Sequence, residues 1–170
     1  PFDIDSASAD FMTVSPLLAE ELGLPLTGSS EATGVGTGTA GVRFSVLDRV
    51  EIGGVTFRTV PVMVSDLHTF RGLKTGLIGS GLLRRFNVTI DVEAGVMEWS
   101  MLSRPDLLSA RINRAAIASD VPLYLFDATM VGASVGDAPP ALYILDTAAA
   151  THLLDQAFFD DIGGVARVAF

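Results

Sequence analysis

The chain has 170 residues, of which 49% are hydrophobic and 18% charged, so one domain, or one domain with part of a second, can bury a sizeable core. A formal net charge of -9 argues against nucleic acid as a partner, because phosphate binding needs clustered Lys and Arg. The absence of cysteine excludes disulfides and thiolate chemistry, and no apolar run reaches the ~20 residues of a membrane-spanning helix.

The chain begins at Pro1 without Met, as expected of a fragment or a processed form, which leaves open a preceding targeting segment and an extracytoplasmic location.

A short strand and a short helix are predicted first in the chain. An extended run ends at Asp5, and small residues follow it. Ser15 then Pro16 is typical of a helix start, because Ser accepts from free N–H groups and Pro suits the first helical position. Since Gly23 ends the pattern, we expect a helix over residues 15–23.

The next segment, residues 28–41, is rich in glycine, with Gly34, Gly36, Gly38 and Gly41. Such spacing can cradle a phosphate, but here no helix follows and no Lys lies beside it. A mobile glycine-rich hairpin fits the pattern better.

Alternating apolar residues predict strands across residues 42–64, with a hairpin turn at Gly53 and Gly54. Residues 76–79 are expected to form a buried strand, and residues 82–86 a short helical turn. A second hairpin is predicted over residues 88–99.

The remainder of the chain is predicted to contain a connector followed by new strands. Residues 103–120 mix charged residues with Leu and Ala and are interpreted as a partly helical connector. Strands are predicted from residue 121, over 130–135 and over 142–145.

The last of these strands repeats the opening of the chain. Asp5-Ser6-Ala7 aligns with Asp146-Thr147-Ala148, 141 residues later. Two copies of one supersecondary unit are implied, each with an Asp after a buried strand. Two carboxylates brought close share a proton, so one can act as a base on water and the other as an acid toward a carbonyl oxygen. The hydroxyl after each Asp can join the two loops by hydrogen bonds.

In this order and spacing, the motifs resemble the retropepsin-like aspartic proteases, including bacterial proteins with two such units per chain. The resemblance rests on Asp5-Ser6-Ala7-Ser8, on the Ser-Pro helix, on the glycine-rich segment 34–38, on Leu77-Ile78-Gly79 and on the hairpin at 88–99. It covers residues 2–101 in full and residues 121–163 as the start of a second unit.

The resemblance implies a mainly β fold, an acid-protease closed β-barrel with short helices, plus the start of a second repeat unit. It divides the chain into a first unit at 1–102, a connector at 103–120 and a partial second unit at 121–170. The implied activity is an aspartic endopeptidase that hydrolyses peptide bonds with an Asp dyad and activated water. No cofactor, metal site or nucleic acid partner is expected.

The implied site contains the catalytic pair Asp5 and Asp146. The residues that support the dyad are Ser6, Ala7, Thr147 and Ala148, and the flap residues are Gly34, Val35, Gly36, Thr37 and Gly38. The expected partner is a peptide or protein substrate. The dyad would form either in a homodimer or by pairing of two lobes within one chain.

The chain departs from the family where Ala7 and Ala148 stand in place of a nearly fixed Gly. A methyl group there can crowd the water or substrate and disfavours the backbone torsions that Gly allows. An alternative function is therefore a catalytically impaired module that binds peptide or protein in the same cleft. A third interpretation is a structural β domain in which the repeat is fortuitous.

Overall fold

The computed structural model describes residues 1–33, 39–66, 75–101, 123–125, 127–151 and 153–163. Strands dominate the described residues, as a curled half-barrel sheet with short helices, which confirms the prediction of a mainly β, acid-protease-like fold. The elements in chain order are β1 (Phe2–Asp5), β2 (Met12–Val14), α1 (Pro16–Glu21), β3 (Thr27–Thr33), β4 (Thr39–Ile52), β5 (Val55–Ser65), β6 (Gly76–Gly79), α2 (Ser80–Leu83), β7 (Phe86–Asp91), β8 (Val96–Met101), β9 (Leu123–Leu125), β10 (Thr129–Ala133), β11 (Ala141–Ile144) and α3 (Gln156–Asp161).

The largest sheet among the described residues has six strands in the order β1-β6-β2-β5-β4-β3. β6 lies between β1 and β2, running parallel to β1 and antiparallel to β2. The register pairs Asp5 with Gly79, so the carboxyl ends of β1 and β6 lie side by side. The loop that follows Asp5 therefore begins beside the junction of β6 and α2.

Helix α1 matches the sequence prediction closely. The Ser15 hydroxyl accepts a hydrogen bond from the Leu18 N–H at 3.2 Å, and Pro16 occupies the first turn. Gly23, at φ 60°, adopts the left-handed conformation that ends many helices. Ala19 is buried on the inner face.

Helix α2 differs from the predicted helical turn at residues 82–86. It starts at Ser80, because Gly79 is still extended, and Phe86 already belongs to β7. The Phe86 ring packs edge-on against the Trp99 ring, with 5.3 Å between centroids, and against the Phe57 ring, with 5.7 Å between centroids. These contacts stabilise Phe86 as the first residue of the β7–β8 hairpin. The packing of these aromatic rings stabilises the strand conformation of Phe86 more than an added helical residue would stabilise a four-residue helix.

The hairpin of β4 and β5 turns at Gly53 and Gly54, as predicted. Both residues have positive φ, 56° and 81°. The two-residue turn that matches the right-handed twist of a hairpin requires positive φ at both positions. β3 and β4 also pair antiparallel, with Thr33 opposite Thr39. The predicted flap residues 34–38 lie between these two strands and outside the described residues.

The core is formed by residues from β2, α1, β5, β6 and α2. Its buried members are Met12, Val14, Ala19, Val60, Val62, Val64, Ile78 and Leu82. Each large apolar side chain of this kind stabilises the folded state by roughly 1.5–3 kcal/mol when fully buried. β6 and α2, which border the Asp5 loop, are therefore fixed by the same core.

A second sheet of three strands, in the order β11-β10-β9, contains the predicted strands of the second half. Their bounds differ from the predicted ones by one or two residues. α3 follows with Asp155 as its cap, accepting from the Ala157 N–H at 2.9 Å, and Gly163 (φ 79°) follows its end. The predicted connector at 103–120 lies outside the described residues. None of the described helices is long and apolar enough to cross a bilayer.

Candidate active site

Asp5 ends β1 and opens a tight turn whose backbone binds its own carboxylate. Asp5 Oδ1 accepts hydrogen bonds from the N–H groups of Ala7 and Ser8, both at 2.9 Å. Short polar side chains commonly bind the backbone two or three residues further on, and this fixes both the turn and the carboxylate. The sequence places small residues here, so nothing obstructs the close approach.

Asp146 makes the same arrangement after β11. Asp146 Oδ1 accepts from the Ala148 N–H at 2.8 Å and from the Ala149 N–H at 3.0 Å. The two aspartates thus occupy equivalent local conformations, each after a strand and each held by the two N–H groups that follow.

Ser6 and Thr147 join the two turns directly. The Ser6 N–H donates to Thr147 Oγ1 at 3.1 Å, and the Thr147 N–H donates to Ser6 Oγ at 3.1 Å. Each hydroxyl then donates across the junction: Thr147 Oγ1 to the Ile4 carbonyl at 2.6 Å, and Ser6 Oγ to the Leu145 carbonyl. The result is a reciprocal set of four hydrogen bonds that brings the backbones preceding and following both aspartates together within one chain.

Further contacts extend this junction. The Thr129 N–H donates to the Ser6 carbonyl at 3.3 Å. The Ser80 hydroxyl, at the start of α2, contacts the carbonyl oxygens of Ser8 at 2.7 Å and Asp127 at 3.2 Å. Ser6 and Ser80 are both buried, so these hydrogen bonds are partly shielded from water. The junction therefore involves β10, β11 and α2 as well as the two turns.

Ala7 and Ala148 are accommodated without left-handed backbone. Within the described part of the chain, Thr59 is the one residue other than glycine with positive φ. Neither Ala7 nor Ala148 adopts a positive φ, so the alanine side chains introduce no left-handed strain into these turns. The N–H groups of both alanines serve the aspartates as a glycine N–H would.

Asp10 is a third carboxyl near the site, which the sequence reasoning did not include. It lies half-buried at the end of the loop that begins at Asp5. Burial raises the pKa of Asp10, a hydrogen bond from the Ser8 side chain lowers it, and the nearby charge of Asp5 raises it further. One signal could have indicated it: an acidic residue within an otherwise small and apolar segment that follows a candidate catalytic Asp.

A surface groove of about 450 Å³ lies elsewhere on the molecule, beside α1. It is lined by Pro16, Ala19, Glu20, Gly23, Leu24 and Leu26, and includes none of the predicted site residues. Among the residues that the structure describes, no three acidic or histidine side chains are grouped as metal ligands would be.

Comparison with known proteins adds one match. Residues 1–82 match the family model described as aspartyl protease, which spans from β1 through most of α2 and so includes Asp5, Ser6 and Asp10. No curated protein and no solved structure matches the chain.

Proposed function

We propose that this chain is an aspartic endopeptidase of the retropepsin-like type, with Asp5 and Asp146 as its dyad, because residues 1–82 match the aspartyl protease family model. The observation that carries the proposal is the reciprocal hydrogen bonding of Ser6 and Thr147, which joins the turn of one aspartate to the turn of the other. A random surface carboxyl would have no such matched partner.

In the proposed reaction the two carboxyl groups share one proton. The ionised carboxylate takes a proton from a water molecule as the water oxygen bonds to the peptide carbonyl carbon. The protonated carboxyl donates to the carbonyl oxygen, giving a tetrahedral intermediate. When the intermediate collapses, one of its hydroxyl groups returns a proton to the dyad as the carbonyl re-forms and the C–N bond breaks. The leaving nitrogen receives the other dyad proton, so the dyad again holds one proton.

The dyad is proposed to form within a single chain rather than between two copies. The Ser6 N–H already donates to Thr147 Oγ1 and the Ser6 hydroxyl to the Leu145 carbonyl, so the surface that a second copy would need is occupied. In this scheme residues 1–102 form the first unit, residues 103–120 the connector and residues 121–170 part of a second unit. Residues 34–38 are proposed as the flap over the substrate.

The test is cleavage of a denatured protein substrate between about pH 4 and pH 7 by the wild type, Asp5→Asn and Asp146→Asn. We expect cleavage by the wild type and its loss in both variants, with Asp48→Asn as a matched control, since Asp48 is exposed on β4. Equal activity of the wild type and Asp5→Asn would refute the assignment. Sedimentation during the assay should give a monomer.

The second candidate is a cleft that binds peptide without cleaving it, which Ala7 and Ala148 favour. It predicts saturable binding of an extended peptide and no cleavage by the wild type. The double variant Ala7→Gly, Ala148→Gly distinguishes the two candidates. If only the variant cleaves the substrate, the wild type is a disabled protease. If the wild type already cleaves it and the variant cleaves it equally well, the first proposal is supported.

A further inference from the structure

The first N–H groups of α2 hold the loop that follows Asp5. The Ser80 N–H donates to the Ser8 carbonyl at 2.8 Å, and the Gly81 N–H donates to the Asp10 carbonyl at 3.1 Å. Ser8 is also held at its other peptide group, because its own N–H donates to Asp5 Oδ1 at 2.9 Å. Backbone hydrogen bonds alone therefore fix the Asp5 turn against α2.

The Ser80 hydroxyl makes a further contact that the backbone does not supply. It lies 2.7 Å from the Ser8 carbonyl oxygen and 3.2 Å from the Asp127 carbonyl oxygen, so its one hydrogen is shared between two acceptors. The Ser8 carbonyl already accepts from the Ser80 N–H, whereas Asp127 is 47 residues away along the chain. What the hydroxyl adds is therefore the connection of α2 to Asp127. Ser80 is 6% exposed, which limits the competition of water for this hydrogen bond.

Residues 127–129 continue from this contact to both aspartate turns. The Thr129 N–H donates to the Ser6 carbonyl at 3.3 Å, and the Thr129 carbonyl accepts from the Leu145 N–H at 2.8 Å. Ser6 and Leu145 are the sequence neighbours of the two candidate aspartates. The segment is thus bonded to the chain on both sides of the junction, and its first residue is held by α2.

We propose that Ser80 is a positioning residue for the aspartate pair. Its hydroxyl fixes residues 127–129 and, through them, the position of the Asp146 turn relative to the Asp5 turn. This role rests on the proposed function, in which the two carboxyls act together on one water molecule and one carbonyl group. A displaced turn changes the separation of the carboxyls but removes neither of them. Ser80 therefore controls the rate of the chemical step rather than the affinity for substrate.

The connection itself is tested without any assay of activity, by amide hydrogen exchange in the wild type and in Ser80→Ala. The variant keeps the N–H that holds Ser8, so the Asp5 turn stays against α2. The Thr129 and Thr147 amides, which both donate to Ser6, should exchange roughly 2- to 10-fold faster, as expected for the loss of one hydrogen bond. The Gly81 amide should keep its rate.

Ser45→Ala is the matched control for this experiment. The Ser45 hydroxyl is equally buried and donates to the Pro25 carbonyl at 2.9 Å, but it lies on β4, three strands away from β6 in the sheet. Its loss should leave the exchange of the Thr129 amide unchanged. Unchanged exchange at Thr129 in Ser80→Ala would overturn the proposal. Equal acceleration at Gly81, or the same acceleration in Ser45→Ala, would also overturn it, because the effect would then not be specific to the connection with Asp127.

The consequence for activity is measured separately, as kcat and KM for peptide cleavage. In Ser80→Ala, kcat should fall about tenfold while KM stays the same, because a misplaced carboxyl slows the chemical step. Ser45→Ala should keep both values. A kcat equal to that of the wild type, or a rise in KM alone, would refute the positioning role. If the wild type cleaves nothing but exchange at Thr129 is accelerated in Ser80→Ala, the proposed function fails and the connection through Ser80 stands.

Discussion

Ser6 and Thr147 exchange two hydrogen bonds of equal length, each N–H donating to the other residue's hydroxyl oxygen at 3.1 Å. Each hydroxyl can accept that bond because its own hydrogen is directed to a carbonyl oxygen on the opposite side. The N–H and hydroxyl groups of both residues therefore all have hydrogen-bond partners. The two turns, which contain Asp5 and Asp146, make equivalent hydrogen bonds to each other.

Replacing Thr147 by Val removes the hydroxyl while keeping the shape of the side chain. Both the Ser6 N–H and the Ile4 carbonyl lose a partner, so we expect a loss of about 1–3 kcal/mol in the free energy of unfolding. Under the proposed function, kcat/KM for peptide cleavage should fall roughly 100-fold, because misplacement of a catalytic group by about 1 Å has that effect. Denaturant unfolding and kcat/KM measure the two losses.

Two variants control this prediction. Thr147→Ser keeps the hydroxyl and should restore most of both properties. Thr151→Val makes the same chemical change at an exposed position four residues later and should alter neither. If Thr147→Val behaved like Thr151→Val, the hydrogen bonds would have no role in holding the turns together.

Replacing Gly79 by Ala should be strongly destabilising. The added Cβ would meet the Asp10 carbonyl oxygen at 2.1 Å and the Ser8 carbonyl oxygen at 3.0 Å, and both are backbone atoms that cannot rotate away. We expect a loss of about 3 kcal/mol or more, measured by thermal or denaturant unfolding. Gly132→Ala on β10 is the control, since nothing lies within 4 Å of its Cβ position. Similar stability of the two variants would contradict the close approach of the Asp5 loop to β6.

Replacing Thr59 by Gly should stabilise the protein. Thr59 is an exposed, β-branched residue at φ 54°, a conformation that costs a residue with a Cβ roughly 1–2 kcal/mol and that glycine adopts freely. A net gain of up to about 1 kcal/mol in unfolding free energy is expected, because glycine also gains entropy in the unfolded chain. Thr56→Gly, at an exposed position with ordinary strand torsions, should instead destabilise. Loss of stability in Thr59→Gly equal to that in Thr56→Gly would show that Thr59 is unstrained.

The stability of the wild type should depend on the ionisation of Asp10. The folded state binds the Asp10 proton more tightly than the unfolded state, so this group's contribution to stability falls as the pH rises from the ordinary aspartate pKa through the raised one. Asp10→Asn should therefore raise the midpoint of thermal unfolding at pH 7 and have less effect near pH 3. The gain should stay below about 1 kcal/mol, because water screens a half-buried carboxyl. A constant difference between variant and wild type across this range would exclude the linkage.

Local signals in the sequence were sufficient for most of the strands and helices. Ser15 and Gly23 predicted α1 because capping acts through neighbouring residues, and Gly53 with Gly54 predicted the β4–β5 turn because two positive φ angles are needed there. The bounds of α2 could not be predicted in the same way, since Phe86 joins β7 through contacts with Phe57 and Trp99, which are distant in sequence.

The sequence by itself determined the two Asp-x-Ala turns, because each carboxylate binds N–H groups only two and three residues further on. Only the tertiary structure decided that these turns meet within one chain, since hydrogen bonds between residues 141 positions apart leave no local signal. It also decided the surroundings of Asp10, whose pKa is raised mainly by burial and to a smaller extent by the charge of Asp5. Burial and charge interactions depend on distances in space, which spacing along the chain does not specify.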